Sequence, residues 1–342
     1  MNKRYKIAAL PGEGIGLEVV EGTITILQRV AAIHNFELQV KYGVIGTPAF
    51  KQYGSYFPEA TADLCSQADG ILFGAVSKGG LLELRKQFDF FINLRPVKVF
   101  PSLINKSSLK SDRLTGVDIL FVRELVSGIY FGASGRGEDG GSYGYHIMQY
   151  YDWQIERIAK IALEKARSRK GLLTVAHKEN ALPNIPWTKL VTEVAVDYRD
   201  ITVEPMLVDN LAMQLVINPQ RFDVVLAGNM FGDILSDLGG ALVGSIGLLG
   251  SASLNETGFG LYEAIHGTAP DIAGKNWANP LGTLSGAMMM LEQWGELDAV
   301  ASLEQAWNKI LTQGYRTRDL YSQDTETLVT TEELVELFLE KL

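Results

Sequence analysis

Asn229-Met230-Phe231-Gly232-Asp233-Ile234-Leu235-Ser236-Asp237 sets two carboxylates four residues apart, directly after the apolar run 222–228. On a helix both acids share one face, one turn apart. Carboxylates so placed repel each other unless a cation or strong donors lie between them, and oxygen ligands at that spacing suit Mg²⁺ or Mn²⁺. Solvent-facing acids stabilised by the helix dipole are the alternative reading. Asp209, near the start of another helix pattern, is either an N-cap or a third carboxylate for the same ion. Three arginines, Arg85, Arg95 and Arg123, flank apolar elements. One alone reads as a snorkelling surface side chain. Three in a net-acidic chain can converge on a multiply charged carboxylic acid, whose carboxylates match the guanidinium fork. His177-Lys178-Glu179-Asn180 follows the strand pattern 171–176, and the end of a buried strand is where α/β sheets usually bind ligands.

These groups need a scaffold, and the chain is long enough to provide one. Its 342 residues can bury a large core in two domains. A net charge of −9 argues against nucleic acid and against a polybasic membrane anchor, but leaves room for a small basic pocket. Cys65 is the only cysteine, so an intrachain disulfide and a zinc–thiolate cluster are both excluded, and a reducing cytoplasm fits. The N-terminal apolar run is too short and polar for a signal peptide, and no uncharged apolar run is long enough to span a membrane.

Strand and helix patterns alternate from the start: a strand at 5–10, a glycine-rich turn at 11–16, a helix at 17–33, then strands at 36–40 and 71–76. This order predicts an α/β architecture with parallel pairing. The turn lacks the G-x-G-x-x-G spacing, and Glu13 is an odd neighbour for a phosphate. Residues 128–151, rich in glycine and tyrosine, read as an extended or hairpin-like arm that can serve a partner subunit. The glycines from Gly239 to Gly250 read as a crossover between lobes, and 262–275 as a functional loop rather than core. The methionines at 288–290 read as core filler.

Leu84-Arg85-Lys86, Asn93-Leu94-Arg95-Pro96, Val122-Arg123-Glu124-Leu125, Gly232 to Asp237 and His266 to Lys275 occur in an order that resembles the β-decarboxylating dehydrogenases, the isocitrate/isopropylmalate dehydrogenases, through nearly the whole chain. The resemblance is nearest to the members that act on 3-isopropylmalate. It implies a two-lobed fold with a central mixed sheet flanked by helices, distinct from a standard Rossmann domain. The implied cofactor-side domain is 1–98 plus 251–342, and the implied substrate, metal and dimerisation domain is 99–250, with an arm at about 128–150. It implies NAD-linked oxidative decarboxylation of a 3-substituted malate with Mg²⁺ or Mn²⁺, foremost (2R,3S)-3-isopropylmalate to 4-methyl-2-oxopentanoate and CO₂, as in leucine biosynthesis.

Carried onto this sequence, the resemblance gives Arg85, Arg95 and Arg123 to the malate carboxylates and Leu81 and Leu82 to the isopropyl group. It gives Tyr150 the protonation of the enolate and Lys178 the hydroxyl proton. Asp209, Asp233 and Asp237 would hold the metal, with Asp209 also at the substrate. Asp209 and Lys178 would come from the other subunit of a homodimer. Glu263, His266, Gly267, Asp271 and Asn279 match cofactor positions, Asp271 at the adenosine ribose, where an acid favours NAD over NADP. The chain departs from the pattern at the short 77–80 segment, where Lys78 replaces a glutamate, and at His177, where aspartate is common. The alternatives are a relative acting on homoisocitrate, isocitrate, tartrate or malate, and a catalytically silent assembly module. Retention of the arginines, aspartates, Tyr150 and Lys178 stands against the second.

Overall fold

The computed structural model describes residues 3–137, 141–322 and 324–342. Residues 138–140 of the expected arm lie outside the described residues. The strands are β1 Lys3–Gly12, β2 Phe36–Tyr42, β3 Gly70–Ala75, β4 Ile92–Lys98, β5 Asp118–Glu124, β6 Ser134–Arg136, β7 Gly144–His146, β8 Leu172–His177, β9 Thr202–Leu207, β10 Val224–Ala227, β11 Gly250–Leu254, β12 Gly260–Ala264, β13 Tyr315–Arg316 and β14 Thr327–Leu328. Ten of them form one sheet in the order β2-β1-β3-β12-β11-β4-β5-β10-β8-β9. The outer pairs are parallel and the middle pairs β12–β11, β11–β4 and β4–β5 are antiparallel. The sheet is therefore mixed, as expected, and its order is not that of a Rossmann domain. β6 and β7 pair as an antiparallel hairpin within the expected arm.

Both faces of the parallel regions are covered. Along β1, Ile7 and Ala9 belong to one core while Ala8 and Leu10 belong to another. That explains the near-continuous apolar runs of these strands. The helix Gly16–His34 buries Val20, Ile24, Leu27 and Ala31 at helical spacing and ends at Asn35 in the left-handed region. Gly12, at φ +73°, has no room for a side chain: a Cβ there would lie 2.0 Å from the Ala75 carbonyl oxygen. Glu13 accepts from the Thr47 N–H and the Ser77 hydroxyl. It ties three loops together, which accounts for an acid in a turn that lacks the dinucleotide fingerprint.

The antiparallel middle sets up a polar stripe. Directly paired residues point to the same face. Phe73 pairs with Glu263, Glu263 with Ser251, Ser253 with Asn93, Asn93 with Arg123, and Arg95 with Phe121. One face of the sheet thus carries Glu263, Ser251, Ser253, Asn93, Arg95 and Arg123. Two expectations are corrected here. Gly239 and Gly240 lie inside the helix Asn229–Val243, and Gly250–Leu254 is a fully buried central strand, so these glycines do not form one irregular connection. Tyr262–Ala264 belongs to buried β12 rather than to a loop. Among the described residues no helix is long and apolar enough to cross a membrane.

Candidate active site

A cleft of about 510 Å³ opens on the polar stripe, lined by Leu81, Leu82, Arg85, Arg95, Arg123, Asp233, Glu263, His266 and Gly267 among others. Arg85 comes from the short helix Leu81–Gln87, which Gly80 starts and Glu83 caps through the Gly80 N–H. Its Nη2 meets Glu263 at 2.8 Å, with both side chains buried. Arg95 Nη1 reaches Ser236 Oγ at 2.8 Å, Asp237 at 3.0 Å and Asp233 at 3.2 Å. Arg123 Nη1 also contacts Asp233. The helix Asn229–Val243 delivers both acids to one place, as their spacing predicts, and Gly232 lets it approach, since a Cβ there would lie 2.7 Å from Arg123 Cγ. Burial first, and then Asp233, pushes the Asp237 carboxyl up against the opposing pull of Arg95. Burial, and then the neighbouring Arg95, brings the Arg123 guanidinium down to about 9.

Other expected residues stand elsewhere in the single chain. Tyr150 does not line the cleft. Its ring packs edge-on to Trp187 at 5.3 Å, and its oxygen accepts from the Asn229 N–H at 2.8 Å. Burial, and then Glu124, pushes its phenol well above the ordinary tyrosine range. Lys178 Nζ meets Asp209 Oδ1 at 2.6 Å, and this ion pair holds the Asp209 carboxyl below its usual value. Among the described residues no three acids, histidines or cysteines of one chain are grouped to hold an ion, so Asp209 does not join Asp233 and Asp237 within the chain. The oxygen donors of Asp233 and Asp237 nonetheless fit Mg²⁺ or Mn²⁺, which are commonly held by one or two carboxylates with water and substrate completing the shell.

His266 lines the first cleft and also a second, of about 210 Å³, together with Ile15, Trp277, Asn279, Arg318 and Asp319. Its Nε2 is buried and has no hydrogen-bond partner among the described residues, an opening that a dinucleotide's polar groups can fill. Asn279 is held by Asp319 at 3.0 Å. Asp271 is exposed and lines neither cleft.

The sequence profile of the isocitrate/isopropylmalate dehydrogenases matches residues 6–338. The chain is 44% identical over 356 residues to a 3-isopropylmalate dehydrogenase of Carboxydothermus hydrogenoformans, covering 99% of this chain and 95% of that one. It is 46% identical over 345 residues to that of Nitrosomonas europaea, covering 96% of each. The chain belongs to the isocitrate/isopropylmalate dehydrogenase family. Its fold matches the crystal structure of isocitrate dehydrogenase from Methylococcus capsulatus with a TM-score of 0.90 at 30% identity, over 98% of this chain and 99% of the other. A β-decarboxylating dehydrogenase from Thermococcus kodakarensis matches with a TM-score of 0.80 at 31% identity, over 98% and 96%. The protein is an NAD-dependent decarboxylating dehydrogenase.

Sequence reasoning missed several groups that the dehydrogenase brings to this region. Tyr130 and His146 line the first cleft, and Tyr130 donates to Asp233 at 3.2 Å. Both lie in the tyrosine-rich stretch, where no local spacing separates a cleft residue from an arm residue. The pairing of Arg85 with Glu263 was also illegible, because 178 positions separate them. Removing one partner of a buried pair strands the other charge. Glu263→Ala is therefore expected to cost about 3–5 kcal/mol of stability. Urea unfolding of the two proteins measures it, and an unchanged midpoint would show that water reaches Arg85 freely.

Proposed function

We propose that this dehydrogenase oxidatively decarboxylates a 3-substituted malate, foremost 3-isopropylmalate, with NAD and Mg²⁺ or Mn²⁺. The observation that carries this reading is one cleft bounded by three guanidiniums, an aspartate and the side chains of Leu81 and Leu82. The arginines suit two carboxylates, and the leucines suit a branched alkyl substituent. Asp233 and Asp237 would hold the ion, which supplies a Lewis acid for the hydroxyl and keto oxygens. Lys178 takes the hydroxyl proton, NAD when bound would supply the hydride acceptor for C2, and the C3–carboxylate bond then breaks. Tyr150 returns a proton to C3. His266, Gly267 and Asn279 would bind the dinucleotide across the two clefts, with Glu263 fixing Arg85 between them and Asp271 at the ribose.

Lys178 and Asp209 are paired away from the cleft, in agreement with a site completed by a second copy of the chain. Exposed apolar side chains support that partner: Ile234 is 61% exposed beside Asp233, and Tyr143 is 58% exposed next to β7. On the same reading, residues 1–98 with 251–342 form the cofactor-side domain and 99–250 the dimerising one.

The test is turnover of a panel of 3-substituted malates, each with Mg²⁺ or Mn²⁺ and with NAD or NADP. The expected best substrate is 3-isopropylmalate with NAD. A second reading, a substituent bearing a polar or acidic group, is favoured by His146 in the cleft lining and by Lys78 in the shortened loop. Preference for such a malate would select it. The acidic substrate also sets a pH dependence. Burial and the neighbouring Arg95 lower the Arg123 guanidinium from its ordinary range, so its charge is easiest to lose at alkaline pH. KM for an acidic substrate is thus expected to rise toward the alkaline end. Steady-state kinetics between pH 7.5 and 10.5 check this, and a flat KM would mean that the bound arginine stays charged throughout.

A further inference from the structure

Asn229, wholly buried at the first position of the helix Asn229–Val243, makes hydrogen bonds in three directions. Its Oδ1 accepts from Arg123 Nε at 3.1 Å and Nη2 at 2.8 Å. Its Nδ2 donates to the Leu125 carbonyl at 3.0 Å and the Ser127 carbonyl at 2.9 Å. Its backbone N–H donates to Tyr150 Oη at 2.8 Å. The side chain's hydrogen-bonding capacity is thus filled, so its rotamer is fixed. With Nε and one proton of Nη2 committed to Asn229, Arg123 has Nη1 left to face the cleft and Asp233. Two glycines keep the Tyr150 oxygen close to this point. A Cβ on Gly128 would lie 2.3 Å from it, and one on Gly228 would lie 2.8 Å from it.

We propose that Asn229 is a positioning residue that couples substrate grip to proton return: its side chain aims Arg123, and its backbone N–H orients Tyr150. This rests on the role proposed above for Tyr150. When the C3–carboxylate bond breaks, its electron pair becomes the enolate and CO₂ leaves. Tyr150 gives its hydroxyl proton to C3 and becomes a phenolate, which solvent later reprotonates. An N–H already directed at Oη occupies one of its lone pairs and turns the hydroxyl proton outward. It also stabilises the phenolate that forms, at no reorganisation cost.

The backbone permits the two functions to be separated. Gly228 has φ −65° and ψ 166°, a conformation that accepts a following proline, and a proline at the first helical position costs no helical hydrogen bond. Asn229→Ala removes the side chain and keeps the N–H, whereas Asn229→Pro removes both. Two readouts follow in each variant. With 3-isopropylmalate in D₂O, the parent is expected to place deuterium on one prochiral face of the product's C3. Asn229→Ala should raise KM by about 10–100-fold and keep that stereospecificity, while Asn229→Pro should raise KM alike and also scramble the label.

The second readout needs no turnover. The ¹³Cζ resonance of Tyr150, assigned by its loss in Tyr150→Phe, should shift in the proline variant and keep the parent's position in the alanine variant, as hydrogen bonding at the oxygen dictates. Equal KM in the parent and Asn229→Ala would overturn the aiming of Arg123. Identical resonances in all three proteins would overturn the orienting of Tyr150. If the proline variant does not fold, the amide N–H resonance of Asn229 serves instead: it should move in Tyr150→Phe, which removes its acceptor, and an unmoved resonance would overturn the orienting of Tyr150. Silence of the parent toward the whole malate panel, with the resonance pattern as expected, would overturn the proposed substrate and leave the coupling of Asn229 to Tyr150 standing.

Discussion

Asp233→Asn is expected to lower metal-dependent kcat/KM by more than about 100-fold while leaving the fold in place, a direct ligand mattering more than the outer partners of a metal site. The asparagine keeps an oxygen for Arg95 and Arg123, its amide nitrogen replaces the oxygen that accepts from the Tyr130 hydroxyl, and the native carboxylate is one-third exposed. What it loses is a charge, and the site is balanced in charge. Arg85, Arg95 and Arg123 face Glu263, Asp233 and Asp237, three positive groups against three negative ones. A divalent cation alone, or a dicarboxylate alone, breaks that balance, and the two together restore it. Metal and diacid should therefore favour each other's binding, by a coupling on the order of 1–3 kcal/mol. On the proposed function, the aspartates would turn from the guanidiniums to the cation, and the guanidiniums would turn to the substrate carboxylates. Asp233→Asn disturbs the first exchange and leaves the second. Calorimetric titration of Mn²⁺ with and without 3-isopropylmalate measures the coupling, and turnover against Mn²⁺ concentration measures the loss. Parent-like values in the variant would remove Asp233 from the metal site.

What the sequence made legible was chemistry carried by strong local pattern. Asp233 and Asp237 sit on one helix, so their spacing alone predicts a shared face. Arg95 and Arg123 each lie within an apolar strand, and the structure brings both to the cleft because β4 and β5 are neighbours. The misread segments are those in which polarity is satisfied only by the sheet. Gly250–Leu254 carries two serines and a glycine, a composition that reads as a connection. In the folded chain Ser251 and Ser253 are bonded by Asn93 at 2.8 and 3.1 Å, which makes a buried polar strand tolerable. Cys65, which no local pattern marks as core, is fully enclosed, and burial pushes its thiol up to about 12. Asn229 gave no signal at all, because its partners Arg123, Leu125, Ser127 and Tyr150 are joined to it only by the tertiary fold.

Tyr150→Phe is expected to reduce kcat by about 10²–10⁴-fold, the range for losing a positioned general acid, with little change in KM. Tyr130→Phe is the necessary comparison, since Tyr130 lines the cleft and Tyr150 lies behind it. The two hydroxyls differ in environment. Tyr130 sits at an exposed rim and donates to the Asp233 carboxylate, so its proton is already engaged by a group proposed to hold the metal. Tyr150 accepts at its oxygen from Asn229, which leaves its own proton free to be given away. Burial, reinforced by Glu124, keeps that phenol protonated at working pH, and the same N–H offsets the cost of the phenolate once the proton has gone. Glu124 is itself held up at about 7 by burial, against the hydrogen bonds it accepts from Ser127. Its negative charge, which disfavours the phenolate, therefore grows as pH passes through neutrality. Replacing Tyr150 also leaves the Asn229 N–H without its acceptor, a loss of about 1–3 kcal/mol, so kinetics must be taken well below the variant's melting temperature. If Tyr130→Phe carries the large loss in kcat and Tyr150→Phe the small one, the proton comes from the rim, and the buried tyrosine is a packing residue.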